Sequence, residues 1–182
     1  MKIFFAFFLL LIVTSCTPQV LGPPPNEVVA TFLGHLQASE YYEADAFVIA
    51  ESPVSFQDVE EEYRGIFHNL TYGEMTEIIN GNYATVTVSI TNVYFTTLMD
   101  SIINEIFHLI FTDITDVELT EIIETMLIER LNSDTSQYDR LTTEVTVNLM
   151  VFENYWRIII DEPFADAMTG GLLTFVAEAQ QS

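Results

Sequence analysis

The sequence predicts an α+β fold, and three observations predict it. Apolar residues recur at helical spacing in NEVVATFLGHLQ, early in the chain. The period drops to two in YATVTVSITN and again in LTTEVTVNLMVF and YWRIIIDE, each beside a turn dipeptide. Between those places, residues 95–131 return to helical spacing. Strands joined by tight turns pair antiparallel, and helices grouped before and between them lie against the sheet. The expected arrangement is N-terminal helices packed on a curved antiparallel sheet, with a two-helix insertion at 95–131 between strands.

The chain begins MKIFFAFFLLLIVTSCTPQ. Lys2, the eleven apolar residues from Ile3 to Val13, and the small Thr14 and Ser15 have the layout of a secretory signal peptide. Eleven apolar residues are too few to cross a bilayer, which needs ~20 to traverse ~30 Å of hydrocarbon. Val13-Thr14-Ser15-Cys16 resembles the lipobox of bacterial lipoproteins. That resemblance implies removal of residues 1–15, diacylglyceryl on the Cys16 sulfur, and an acyl group such as palmitate on its amine. The chain would then be held at the cell membrane, on the extracytoplasmic face. Two or three acyl chains at ~0.8 kcal/mol per buried CH₂ hold a protein stably where one myristoyl chain does so only marginally. Cys16 is the only cysteine, so its lipidation leaves no thiol for a disulfide, a nucleophile or a metal.

Residues 16–25, with Pro18, Pro23, Pro24 and Pro25, predict a stiff extended tether between the lipidated cysteine and the domain. Taking 15 residues from 182 leaves 167, enough for a single core. That domain is expected over 26–178, followed by a polar tail, 179–182. Lys2 leaves with the signal, so four arginines face 27 acids, a formal charge of −23. Nucleic-acid binding depends on Lys and Arg releasing phosphate counterions, and this surface excludes it. Adhesion to anionic lipid is excluded for the same reason. The acids either attract cations or form a solvated coat.

Asn26 reads as the N-cap of the first helix, whose apolar stripe is Val28, Val29, Phe32, Leu33 and Leu36. A second short helix is predicted over Ser39 to Ile49, with Tyr42, Ala46 and Phe47 on one face, ended by Ser52-Pro53. Ser55 reads as the cap of a third, FQDVEEEYRGIFHNL, with Phe56, Val59, Tyr63, Ile66, Phe67 and Leu70 opposite Glu60 to Glu62. Strands follow over Thr71 to Ile79 and Tyr83 to Asn92 around Asn80-Gly81, with Ala84, Val86, Val88 and Ile90 facing inward.

The insertion divides into Phe95 to Phe111 and Val117 to Leu131. The first is apolar over more than half its circumference and is expected between the second helix and the sheet. The second is amphipathic, with Leu119, Ile122, Ile123, Met126, Leu127 and Leu131 on one side. After the loop SDTSQYD, a two-residue turn at Glu153-Asn154 pairs Phe152 with Tyr155 and Val151 with Trp156. Val147, Leu149, Val151, Trp156, Ile158 and Ile160 then share one face. DEPFADAMTGGLLTF predicts a short helix or turn begun at Pro163 and left at Gly170-Gly171.

A lipobox, a Pro-rich tether, VVATFLGHLQASEYYEADAFV as paired helices, SITNVYF at a strand end and the late hairpin VFENYWRIIIDEPF together resemble a known group. They are similar to the uncharacterised small lipoproteins of low-GC Gram-positive bacteria with nuclear-transport-factor-2-like (cystatin-like, cone-shaped α+β) domains. The resemblance implies an antiparallel sheet curled around a helix, leaving a cone-shaped cavity that the insertion caps or fills. The wider superfamily holds isomerases, dehydratases and epoxide hydrolases beside non-catalytic binders, so fold alone does not choose an activity.

Few residues suggest chemistry. His35, His68 and His108 are not at metal-binding spacing and read as structural or surface groups. In DITDVE the carboxylates of Asp113, Asp116 and Glu118 are weak candidates for Ca²⁺, without the glycine loop of an EF-hand. The simpler reading makes Asp113 or Asp116 an N-cap, with Glu118 in the first turn opposing the helix dipole. Asp161, with a tyrosine, could serve as a base in a cone-shaped cavity. Asn69-Leu70-Thr71 matches a glycosylation acceptor of little weight in a bacterial lipoprotein. No cofactor is expected.

Three functions fit these features. One is a lipid-anchored domain that binds a small apolar or cationic molecule, or an envelope protein, without chemistry. Another is an enzyme using a cavity carboxylate. The third is a structural or dimerising module built on the acidic helices.

Overall fold

The computed structural model describes residues 20–49 and 56–181. The signal segment, Cys16, Ser52-Pro53 and Ser55 lie outside the described residues. Among those residues, four strands make one antiparallel sheet in the order β1-β2-β3-β4: β1 Thr71–Asn80, β2 Tyr83–Val93, β3 Arg140–Phe152 and β4 Tyr155–Ile159. The fold is α+β, as the two alternations require. Phe152 faces Tyr155 and Val151 faces Trp156, the predicted register. Glu153 and Asn154 take φ of 50° and 69°, the left-handed pair that a two-residue hairpin turn needs. The first hairpin turns at Gly81-Asn82, with Asn80 opposite Tyr83.

The inner face of the sheet carries Ala84, Val86, Val88, Ile90, Val145, Val147, Leu149, Trp156 and Ile158, all buried. Helix α1, Pro25–Gln37, lays Val28, Val29, Phe32, Leu33 and Leu36 onto it. Burying one such side chain is worth about 1.5–3 kcal/mol, and a side-chain cap about 1 kcal/mol. Packing therefore fixes this helix without a cap. Asn26 is not its N-cap: the helix begins one residue earlier at Pro25, whose ring presets φ, and Pro24 holds the cap position with no side-chain bond. The Asn26 amide instead donates to the Glu77 carboxylate, 3.0 Å away on β1.

Residues 20–25, expected in the tether, make contacts with the domain. Val20 packs on the core, the Leu21 amide donates to the Asn154 carbonyl at 2.6 Å, and Pro25 is buried. Residues 20–25 therefore belong to the folded body.

The second helix, α2, spans only Tyr41–Asp45 and buries Tyr41 and Ala44, while Tyr42 is exposed. Of the predicted face, Ala46 is exposed and Phe47 packs on the core from beyond the helix. Beyond Asp45, Phe47 to Ile49 leave the helix and run beside β4, with Ile49 N on Ile158 O at 3.0 Å and Ile158 N on Phe47 O at 2.8 Å. That pairing covers a sheet edge.

The single third helix is also corrected. Residues 56–70 form two 3₁₀ turns, Phe56–Asp58 and Glu61–Tyr63, then a short helix α3, Gly65–His68. Asp45 accepts the Phe56 amide at 2.8 Å, a partner eleven positions away. The segment bends so that Phe56 and Phe67 stack edgewise on the core, Phe56 at 5.4 Å from the Phe32 ring and 5.9 Å from Phe67.

The insertion consists of α4, Phe95–Ile106, a 3₁₀ turn Phe107–Phe111, and α5, Asp116–Leu131. Helix α4 buries Phe95, Leu98, Ile102 and Ile106 and sits between α5 and a C-terminal helix α7, Leu172–Ala179. The expectation placed the sheet on that second side. Helix α6, Glu162–Met168, ends at Gly170 and Gly171, whose φ of 67° and 89° turn the chain back, and α7 then brings Phe175 edgewise onto Phe95 at 5.4 Å. Helix α5 fully buries only Leu131, so its apolar side is half covered.

Gly65 sets how closely α3 meets α5. A Cβ there would stand 2.5 Å from the Leu131 carbonyl oxygen. Gly65→Ala is expected to destabilise the domain by about 1–3 kcal/mol, the range for overpacking. Thermal unfolding followed by circular dichroism checks this; an unchanged midpoint would contradict the close packing.

Candidate functional site

The alternation of β2 places Asn92 in line with Ala84, Val86, Val88 and Ile90, facing inward. Asn92 is 1% exposed. Its Nδ2 donates to the carbonyls of Ile66 at 2.8 Å and Met168 at 2.6 Å, and its Oδ1 accepts the Val93 amide at 2.7 Å. One side chain therefore ties α3, the end of α6 and the end of β2 together. Sequence reasoning missed it, although a polar residue in a row of inward apolar ones is a readable signal.

Beside this junction lies an apolar cleft of about 370 Å³. Val59, Tyr63, Ile66 and Phe67 line one side, Leu127 and Leu131 of α5 another, and Phe95, Thr169 and Leu172 the third. The volume lies in the range of small-ligand sites. Its lining offers two hydroxyls and no carboxylate or imidazole. The Tyr63 hydroxyl donates to Glu124, and the Thr169 hydroxyl donates to the Ala165 carbonyl at 2.9 Å. The cleft is suited to hold an apolar group, and its lining has no base or nucleophile of the acid-base kind.

The insertion is fastened beside the cleft by polar bonds. Arg130 donates to Ser101 and to the Glu105 carboxylate. The Thr135 hydroxyl donates to Asn69 Oδ1 at 2.7 Å, and Arg140 reaches the Asn69 carbonyl at 3.0 Å. Asn69, singled out as a glycosylation acceptor, is thus half-buried and bonded through both its side chain and its carbonyl.

The residues that the sequence offered for chemistry lie elsewhere. Asp161 is the N-cap of α6: Oδ1 accepts the Phe164 amide at 3.0 Å, and Oδ2 accepts Asn148 Nδ2 at 3.0 Å. The space between α1 and the sheet, where a cone-shaped cavity was expected, is filled by Phe32, Leu33, Phe164 and Leu149. Tyr41 donates to the Arg64 carbonyl at 3.2 Å beneath the Arg64 guanidinium, 4.8 Å from its ring. Burial pushes the Tyr41 phenol above its usual value, so it stays protonated at neutral pH. His35 bonds Glu40 at 2.6 Å, His68 bonds Ser39, and His108 bonds the Glu105 carbonyl at 3.1 Å.

Neither Asp113 nor Asp116 is the N-cap of α5, whereas Glu118 lies in its first turn as expected. Thr115 caps α5 and closes a capping box with Glu118, whose Oε2 accepts the Thr115 amide at 2.9 Å and hydroxyl at 2.8 Å. A shallow depression of about 580 Å³ runs along α5 past Asp113, Glu118, Glu121 and Ile122. Among the described residues, no group of three His, Cys, Asp or Glu side chains could hold a metal ion.

Two outcomes test this arrangement. Asn92→Leu leaves the Ile66 and Met168 carbonyls unpaired and is expected to cost about 1–3 kcal/mol for each, read from the urea midpoint. A wild-type midpoint would remove Asn92 from its role. The Thr115 amide, then its hydroxyl, hold the Glu118 carboxyl below its ordinary 4.5. A lowered folded-state pKa means support for the first turn of α5 that is present above 4.5 and lost as pH falls through the folded value. Amide exchange at that turn should accelerate in acid in the wild type and lose this pH step in Glu118→Gln, which keeps the bonds but cannot ionise.

No family model, curated protein or solved structure matches this chain, so its fold class rests on its own register and core.

Proposed function

We propose that the chain is a lipid-anchored, extracytoplasmic domain that binds a small apolar molecule in the cleft between α3, α5 and α7, without chemistry of its own. The observation that carries the reading is the lining of that cleft: aliphatic and aromatic walls around about 370 Å³, with both hydroxyls already bonded. An apolar guest gains about 25 cal/mol for each Å² removed from water there, whereas a charged guest would find no counter-charge in the lining. Cationic ligands, the other option left by the acidic composition, are therefore disfavoured in this cleft. The lipobox Val13-Thr14-Ser15-Cys16 supports the anchor, and the absence among the described residues of a helix long and apolar enough to cross a membrane is compatible with it. The resemblance to nuclear-transport-factor-2-like lipoproteins belongs to this proposal as the class of domain. Its cone-shaped active site does not, because Asp161 caps a helix and buried side chains fill the space between α1 and the sheet.

The cleft reading predicts that the wild-type domain enhances Nile red emission and that Ile66→Trp, which fills the cleft, loses the enhancement with an unchanged far-ultraviolet spectrum. Equal enhancement by both would overturn the cleft as the site. The anchor reading predicts an intact mass, for protein taken from its own cells, that begins at Cys16 and carries diacylglyceryl. A free Cys16 thiol in the full-length chain would overturn the anchor.

A further inference from the structure

The outward face of the sheet changes character along its strands. Directly opposed residues share a face, and the register puts Ile78, Tyr83, Met150, Phe152, Tyr155 and Arg157 on the side away from the core. Ile78 is 73% exposed and Tyr83 61%, and Phe152 and Tyr155 are exposed as well. Further along the same face the pairs are Thr87 with Thr146, Ser89 with Glu144, and Thr91 with Thr142. One end of the outer face is therefore aromatic and apolar, and the other is hydroxylated and acidic. A solvated face has no need of the first kind of end.

The chain itself enters at the aromatic end. Leu21 N is bonded to Asn154 O at 2.6 Å, in the turn that joins Phe152 to Tyr155. Gly22 lies on the Tyr155 ring, where a Cβ would stand 3.4 Å from Cδ1. Five residue steps separate Cys16 from Leu21. Fully extended, five steps reach at most ~18 Å. A glyceride on Cys16 therefore holds this end of the sheet, and no other, within a short reach of the headgroups.

We propose that Ile78, Tyr83, Phe152, Tyr155 and Arg157 form a face that lies on the bilayer interface in which the Cys16 lipid is embedded. The inference rests on the lipid anchor proposed above. Tyrosine rings combine an apolar body with a polar tip, and they collect where acyl chains meet headgroups. Arg157 has its guanidinium 5.6 Å from the Tyr155 ring centroid, so its charge sits at the same end with its stem along the ring. The remaining acids make the chain strongly negative, which opposes a second copy on this face and favours a zwitterionic or uncharged surface over an anionic one. The anchor supplies the affinity, and the rings set the orientation.

The test uses the lipidated chain purified from its own cells and reconstituted in phosphatidylcholine vesicles. A single thiol is introduced as Tyr83→Cys or, on the polar end of the same face, Thr142→Cys, and each is labelled with an environment-sensitive fluorophore. Both positions are exposed, so the fold tolerates either label. The label at 83 should shift to the blue, lose its quenching by aqueous iodide and be quenched by spin-labelled lipid, while the label at 142 stays aqueous. Equal aqueous exposure at both positions, with diacylglyceryl present in the intact mass, overturns the orientation and leaves the anchor standing. Energy transfer between labels at 83 on neighbouring chains assigns the face to a second copy and overturns it too. An intact mass without lipid overturns the anchor and, with it, this inference.

Discussion

The buried amide of Asn92 is the contact on which the rest of the arrangement depends. It stands where β2 leaves the sheet, and it holds two carbonyls from segments 26 and 76 residues away in sequence. Without a partner those carbonyls would be buried at a cost comparable to a substantial part of a domain's net stability. Because the amide offers two donors in fixed geometry, it sets the distance between α3 and the end of α6 as well as satisfying them. The cleft lies beside this junction, with Ile66 in its lining. Gly170, whose carbonyl accepts the Phe95 amide at 2.9 Å, extends the same junction into the insertion.

In a chain with so few cations, all four arginines have structural partners. Arg64 covers Tyr41, Arg130 joins α5 to α4, Arg140 reaches the Asn69 carbonyl, and Arg157 lies over Tyr155. Among the described residues several of the acids act as caps: Asp161 for α6, Glu118 within the box that starts α5, and Glu77 across to the Asn26 amide. Carboxylates suit that work because free amides and the positive end of the helix dipole favour negative charge. Cohesion comes from the apolar core, with charge confined to its edges.

The two ends of the sheet then have different roles. Strand β2 runs for 11 residues from the turn at Gly81 to Val93. At ~3.4 Å per residue that is about 35 Å. At one end stand the aromatic side chains of the outer face and the point where the chain enters; at the other stand Asn92 and the cleft. On the proposed anchoring, the cleft is displaced from the membrane by roughly the length of the sheet, open to molecules in the extracytoplasmic space.

Much of this was legible in the sequence. Alternation around Glu153-Asn154 gave the second hairpin in register, and that in YATVTVSITN gave the inward face of β2 but not its pairing, which turns one residue later than Asn80-Gly81. The insertion and the apolar stripe of α1 were equally readable from a period of 3.6. What local pattern could not give were features set by residues far apart: Asp45 accepting the Phe56 amide, Glu77 meeting Asn26, and the break of 56–70 into three turns that fit around Leu131. Helix α7 escaped because its stability comes from Phe175 on Phe95, a contact between distant segments. The sequence by itself determined the strands, helix α1, the helical insertion and the inward row of β2, since each follows from side-chain period along one segment. Only the tertiary structure decided that Asn92 is a hub and that a cleft exists, because each depends on where a second segment brings its backbone.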